Sequence, residues 1–522
     1  MTPRSSVGQV MTPRTSPDLE QRGRRSEARE QPLVVDVSCA RGNAPALALL
    51  AEENPEDCQT CSGDGADIVW VVRAEDMTRK MLTLPEHAWL SHVPGVLRVC
   101  SKVELSEALQ AREAKFWPPS WSFPEASFED ICREAHAEGG AALIVKPSTG
   151  SHGSGIFLAL DKVDLELALK KLQSPQRAVV QQYIDPPMLL DGHKWDLRLY
   201  ALLIPDSRGC LTAYVATEGL VRVSVDRYER PDPSNLYRSK MHLSNYSISK
   251  YYDTFSFGDG SADDAARGGS KQLLSEVLGK LEAEDLLIAS GTMRALRRLV
   301  RRTVRAMERP IQEYCFSADS WGGSLEAAEL ARSRLNRCFH IVGLDVLLDD
   351  SGKPWLLEVN NNPSLSIDEL RPLYGKCAQV NQLFAATASA RTERPGAALG
   401  RPEAPKGRPR SASAHAGAGL TRNGSRQRAS RECPEASSRP RHPSGAEPLL
   451  AVPDGCRPCR CSGHPRPHTH HRCPVDVTVK LPLLRGVLQV LRRVDAAGGI
   501  DARAWSREDL ESWAEGTSLE FL

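Results

Sequence analysis

The segment Ile341-Val-Gly-Leu-Asp-Val-Leu-Leu-Asp-Asp-Ser-Gly-Lys-Pro-Trp-Leu-Leu-Glu-Val-Asn-Asn-Asn-Pro-Ser364 constrains the fold more than any other part of the chain. Two apolar runs flank a turn at 350–353, the pattern of a β-hairpin. With Ser351 and Gly352 as a two-residue loop, Asp350 stands opposite Lys353 and Asp345 opposite Glu358. Asn360 then falls opposite Gly343, on the same face. Two opposed carboxylates on an otherwise apolar hairpin repel each other unless a cation neutralises them. Oxygen donors of this kind suit Mg²⁺ better than zinc. Asp345, Glu358 and Asn360 are therefore the candidate metal ligands.

Two other segments carry chemistry. In Leu143-Ile-Val-Lys-Pro-Ser-Thr-Gly-Ser-His-Gly-Ser-Gly-Ile-Phe157 an apolar strand ends in Lys146, and a loop with Gly150, Gly153 and Gly155 precedes a second apolar run. Such a loop lets backbone N–H groups close around phosphate oxygens while the lysine supplies a cation. No Gly-Lys-Ser/Thr opens a helix, so this is a glycine-rich flap and not a Walker A loop. In His193-Lys-Trp-Asp-Leu-Arg-Leu-Tyr-Ala-Leu-Leu-Ile204, period-two alternation puts Lys194, Asp196 and Arg198 on one strand face. Arg222 offers a further cation from a neighbouring strand. A flap, a cationic strand and a late carboxylate hairpin describe an enzyme that uses Mg-ATP, and kinase signatures are missing.

The 522 residues carry a net charge of +1, which argues against a dedicated nucleic-acid binder. No apolar run reaches eighteen residues, so no membrane span is expected. Fourteen cysteines without a secretory signal suggest reduced thiols and a cytoplasmic location. Residues 1–32 read as a disordered tail. Interleaved strand and helix patterns from 33 to 376 predict an α/β or α+β fold. Residues 377–473 read as a disordered, basic stretch: 391–450 hold twelve Lys and Arg against five Asp and Glu. Its end is a Cys/His cluster from Cys456 to Cys473 whose ligand types suit zinc but whose spacing matches no standard finger. Helical spacing returns at Val475, Val479, Leu483 and Val487, with a kink foreseen at Pro482 and Gly486.

The chain resembles the tubulin tyrosine ligase-like family, which has an ATP-grasp fold of the α+β class, and most resembles its polyglutamylating branch. The resemblance spans roughly 66–376 and rests on Asp67-Ile-Val-Trp70, His92-Val-Pro-Gly95, Trp117-Pro-Pro-Ser-Trp121, the flap and Val180-Gln-Gln-Tyr-Ile184. Lys194-Trp-Asp-Leu-Arg198, Glu218-Gly-Leu-Val-Arg222, Met241-His-Leu-Ser-Asn-Tyr-Ser-Ile248 and the 341–364 hairpin follow in order. The resemblance implies an N-terminal subdomain over 33–120, a central one over 121–230 with the flap, and a C-terminal one over 231–376 with the metal hairpin. Residues 377–473 become an insertion, 474–500 a closing helix and 501–522 a C-terminal tail.

The resemblance also implies roles. Lys102 and Lys146 look like phosphate-binding lysines. Gln181, Gln182, Tyr183 and Ile184 look like the linker on which adenine lies. Lys194 and Asp196 resemble nucleotide contacts. Arg198 and Arg222 resemble the arginines that hold the γ-phosphate and an acyl-phosphate made from it, with Asn245 beside the acceptor, and Asp345, Glu358 and Asn360 match the Mg²⁺ ligands. Ser154 stands where many members have Arg or Lys, and Ser244 where Thr is usual. The implied reaction joins a free amino acid, glutamate first and glycine or tyrosine as alternatives, to carboxylates of acidic tubulin tails. Glutamate needs an extra cation, for which Lys240 and Lys250 are candidates. Tubulin and microtubules are the implied partners, and the cytoskeleton, with the cilium, the implied location. A microtubule-binding module, or a ligase acting on another protein, is the competing reading.

Overall fold

A computed structural model describes residues 31–137, 142–148, 155–172, 177–244, 270–372, 468–500 and 505–522. Three sheets and a ribbon organise them. The first sheet is parallel, in the order β2-β1-β3-β4, from β1 (Leu33–Cys39), β2 (Cys58–Cys61), β3 (Ile68–Val71) and β4 (Trp89–Leu90). The second is antiparallel, in the order β5-β8-β6-β7, from β5 (Ser120–Phe123), β6 (Leu143–Pro147), β7 (Phe157–Ala159) and β8 (Ala178–Gln182).

The third sheet has eight strands: β9 (Leu189–Leu190), β10 (His193–Pro205), β11 (Leu211–Ala216), β12 (Leu220–Arg227), β13 (Lys271–Leu273), β14 (His340–Leu348), β15 (Pro354–Asn360) and, last in the chain, β18 (Leu519–Phe521). Between them in sequence, β16 (Asp368–Pro372) and β17 (His468–Arg472) form an antiparallel ribbon.

β10 organises the large sheet. β12 pairs with its first half, β11 with its second half and β14 with its middle. Both of its faces are covered, so its later residues form a nearly continuous apolar run. Leu197, Leu199, Ala201 and Leu203 pack into one core with the helix Ala289–Phe316, through Leu296, Leu299, Val300 and Met307. Tyr200, Leu202 and Ile204 pack into another core with the helix Pro474–Ala496, through Val479, Leu483, Val487 and Leu491. Lys194, Asp196 and Arg198 lie on this second face, as the alternation requires.

Several expectations change. The sheets divide 121–230 differently from the expected subdomains, because the strands from 189 to 227 join the large sheet instead of the flap sheet. Residues 501–522 are not a tail over the described part. Ser506 and Asp509 form a capping box that starts the helix Arg507–Ala514, Trp513 and Leu519 are buried, and β18 pairs with β11. The closing helix runs unbroken past Pro482, and a Cβ at Gly486 would come within 3.0 Å of Ser518 Oγ, so glycine admits the C-terminal strand. The ribbon places Asp368 opposite Arg472 and Pro372 opposite His468, so the described residues on either side of the long stretch between them lie side by side. Residues 1–30 and the part of the Cys/His cluster from 456 to 467 lie outside the described residues. Among the described residues no helix is long and apolar enough to cross a membrane.

Candidate active site

The hairpin does bring Asp345 opposite Glu358 and Asn360 opposite Gly343. Its loop differs from the expectation. Asp349, not Asp350, faces Lys353: the Asp349 N–H donates to the Lys353 carbonyl at 3.1 Å, which makes a three-residue loop. The extra residue is returned by a bulge at Leu357, since Asp345 pairs with Glu358 but Val346 with Leu356. The bulge has a use, because the Leu357 carbonyl accepts a hydrogen bond from Lys146 Nζ at 3.3 Å.

Across the same sheet face the strand register builds a layer of charge. Asp196 on β10 is the direct partner of Arg222 on β12, and Arg198 is the direct partner of Asp345 on β14. Arg222 donates to Asp196 through Nε (2.6 Å) and Nη2 (2.8 Å), and its Nη2 lies 2.9 Å from Asp345 Oδ2. Arg198 grips Asp345 through Nε and through Nη2, the latter at 2.8 Å. Asn360 Nδ2 stands between the carboxylates, 3.3 Å from Asp345 Oδ2 and 3.2 Å from Glu358 Oε1.

This environment separates the two carboxyl groups. Burial alone would raise the pKa of Asp345, but Arg198 and Arg222 overcome it and hold the group well below the usual carboxylate range. Burial and then the Asp345 charge push Glu358 up. Glu358 is thus the carboxylate that lacks its full share of positive charge.

The flap sheet supplies Lys146 from the other side, and Lys194 on β10 and Lys102 on a helix add to it. Lys146 is buried, and its Nζ donates to Gln181 Oε1 at 2.6 Å. Burial lowers its pKa to about 8. Lys194 is also buried, donates to the Tyr183 hydroxyl at 2.7 Å, and is lowered by burial to about 7. Lys102 opens the helix Lys102–Gln110, and its charge bears on both Lys146 and Glu358. Buried lysines with weakened charge are poised to regain it beside an anion.

The remaining predicted residues are placed less fully. Tyr183 is buried at the end of β8, whereas Gln182 and Ile184 are partly exposed beside it. Gly155 has a φ of +75°, the left-handed region that favours glycine. Gly150, Gly153, Ser154, Asn245 and Lys250 lie outside the described residues, as does the side chain of Lys240.

The structure adds residues that spacing did not single out. The Ser244 hydroxyl donates to Asp196 Oδ2. His340 Nδ1 accepts the Val93 N–H at 3.1 Å, so its Nε2–H is left to donate to the Asn361 carbonyl, next to Asn360. The position of His340 at the head of β14 was the available signal.

These residues fit Mg²⁺. Among the described residues no three His, Cys, Asp or Glu side chains gather to hold a metal unaided. The site offers two carboxylates, with the Asn360 amide bridging the gap between them. That is the sparse, hard-oxygen set Mg²⁺ uses when phosphates and water complete its shell, provided the amide turns its Oδ1 inward.

Comparison with known sequences agrees with this architecture. The profile of the tubulin-tyrosine ligase family matches residues 74–382, more than half of the chain. The chain is 32% identical over 367 residues to tubulin polyglutamylase TTLL11 of Mus musculus, covering 67% of this chain and 47% of that protein. It is 30% identical over 403 residues to tubulin polyglutamylase ttll-11 of Caenorhabditis elegans, covering 72% of this chain and 52% of that protein. With tubulin polyglutamylase TTLL6 of Homo sapiens it shares 30% identity over 313 residues, covering 58% of this chain and 32% of that protein. The chain spans about half the length, or less, of these relatives. On the family match and the folded hairpin, sheet and lysines it spans, the chain belongs to the tubulin-tyrosine ligase family.

Proposed function

We propose that this chain is an ATP-dependent ligase that joins glutamate to carboxylates of tubulin tails, and that the charged sheet face is its active site. The observation that carries the reading is the cross-strand row of Asp196, Arg222, Arg198, Asp345 and Glu358, with Lys194 on the strand of Asp196 and Arg198 and Lys146 on the flap sheet. Its placement in a family whose matched relatives are named tubulin polyglutamylases supports the choice of substrates.

In this reading an acceptor carboxylate attacks the γ-phosphate of ATP, and an acyl-phosphate and ADP result. The amino group of free glutamate then attacks the acyl carbon, and phosphate leaves. The protein's part is placement and charge stabilisation. Lys102 and Lys146 receive the nucleotide phosphates and Lys194 contacts the nucleotide, with the linker from Gln181 to Ile184 beside the base and Asp196 near the ribose. Arg198 and Arg222 face the transferring phosphoryl group with planar, fixed donors, and Asp196 and Asp345 hold those guanidiniums in place beforehand. Asp345, Glu358 and Asn360 would hold Mg²⁺, which offsets phosphate charge when bound.

The test is incubation of the purified protein with tubulin, Mg-ATP and, separately, labelled glutamate, glycine or tyrosine. Glutamate labelling supports the proposal. Labelling by glycine or tyrosine alone retains the mechanism and overturns the amino acid. No labelling by any of them, in folded protein, overturns the ligase reading on tubulin.

A further inference from the structure

A ligase that selects glutamate needs a cation for the second carboxylate of that amino acid. The large sheet and the closing helix together provide two. Lys271 on β13 is the direct cross-strand partner of Arg222. Its Nζ lies 2.7 Å from Asp476 Oδ2, in the first turn of the helix Pro474–Ala496. Lys480, one turn further on, places its Nζ 2.7 Å from Asp476 Oδ1 and 2.6 Å from the Ser366 carbonyl. Ser366 follows Asn360 by six residues. One carboxylate thus holds two ammonium groups side by side, one on each oxygen. A pair of cations held at the spacing of one carboxylate is matched to receive another.

The cluster continues the charged face. Tyr200, two residues along β10 from Arg198, lies within electrostatic range of Arg198, Asp476, Lys271 and Arg222 together. It is also enclosed: the side chains of Lys480, Asp476 and Lys271 are 5%, 4% and 11% exposed. An enclosed cationic pair takes a small solute more readily than a stretch of polypeptide. Holding these charges out of water is costly, and only close pairing such as that with Asp476 offsets the cost.

We propose that Lys271 and Lys480, positioned by Asp476, bind the side-chain carboxylate of the incoming amino acid and so select a dicarboxylic one. The proposal rests on the ligase reading above. It assigns specificity to residues other than Lys240 and Lys250.

The test compares the full chain with its Lys480→Met variant, in which Asp476 keeps Lys271. Binding of L-glutamate and of L-glutamine is measured by calorimetry in the presence of ADP and Mg²⁺. Loss of one charge-assisted hydrogen bond predicts a fall in glutamate affinity of roughly 10- to 100-fold, with glutamine affinity unchanged. Lys480→Arg should retain the preference. If Lys480→Met does not fold, Lys271→Met carries the same expectation. Equal affinity of the folded variant and the parent for glutamate overturns the proposal, as does an equal loss for both ligands or a parent protein that prefers glutamine. Glutamate binding that depends on Lys480 without any transfer to tubulin would uphold this site and overturn the ligase reading on tubulin. Transfer of a different amino acid, with no glutamate binding, would do the reverse.

Discussion

Arg222→Met tests whether the charged face is held together by the arginines. Arg222 is buried and bridges two buried carboxylates, with two hydrogen bonds to Asp196 and one contact to Asp345. Methionine fills similar space and removes the charge. Asp345 retains Arg198, but Asp196 is left with the Ser244 hydroxyl as its described side-chain partner. Charge-assisted hydrogen bonds contribute about 1.5–3 kcal/mol each, and stripping one partner from a buried pair costs about 3–5 kcal/mol. The lower figure allows for relaxation of Asp196 toward water. We therefore expect a loss of about 3–5 kcal/mol in equilibrium urea unfolding at pH 7. Arg222→Lys should lose less, since it keeps the charge but not the two-pronged grip. A variant within about 1 kcal/mol of the parent, the range of an exposed pair, would refute the reasoning, because no buried carboxylate would then depend on this guanidinium.

Other consequences follow from the same layer. Glu358→Gln removes a carboxylate whose pKa is raised by burial and by Asp345, so it should leave thermal stability unchanged or higher while ligation is lost; a clear drop in melting temperature would contradict this. Burial lowers Lys146 to about 8, so near pH 8 and just above the site is only partly charged, and arriving phosphates should raise that pKa again. ATP binding at pH 8.5 should then take up protons, read by calorimetry in buffers of different ionisation enthalpy, and Lys146→Met should reduce the uptake. With the same lowered lysine pKa, the unfolded chain binds more protons than the folded one above pH 8, so this group's contribution to stability rises with pH up to about 10.4. Replacing residues 375–465 with a short Gly/Ser linker should leave melting temperature and ligation intact, because the β16–β17 ribbon already brings the two ends together; loss of both would contradict the insertion reading.

The hairpin was legible because its residues are close in sequence and period-two alternation is strict. Its pairing survived a wrong loop for a physical reason: the bulge at Leu357 cancels the extra loop residue before Asp345 is reached. The face of β10 was legible for the same reason. Sheet membership was not. That β10 to β12 sit with β14 and not with the flap strands depends on pairings such as Arg198 with Asp345, 147 residues apart. The C-terminal segment was misread as a tail because three strand residues carry little periodicity, although Ser506 and Asp509 at capping-box spacing were a usable sign. The pairing of Lys271 with Asp476 spans 205 residues and has no local signature at all.

The most direct measurement is ADP formation by the purified chain with Mg-ATP, tubulin and glutamate, each omitted in turn, beside Glu358→Gln. The account predicts ADP release that requires both tubulin and glutamate, matches the glutamate incorporated, and is abolished by the substitution. ADP formed equally without either co-substrate, or undiminished in Glu358→Gln, would contradict a ligase built on this carboxylate hairpin.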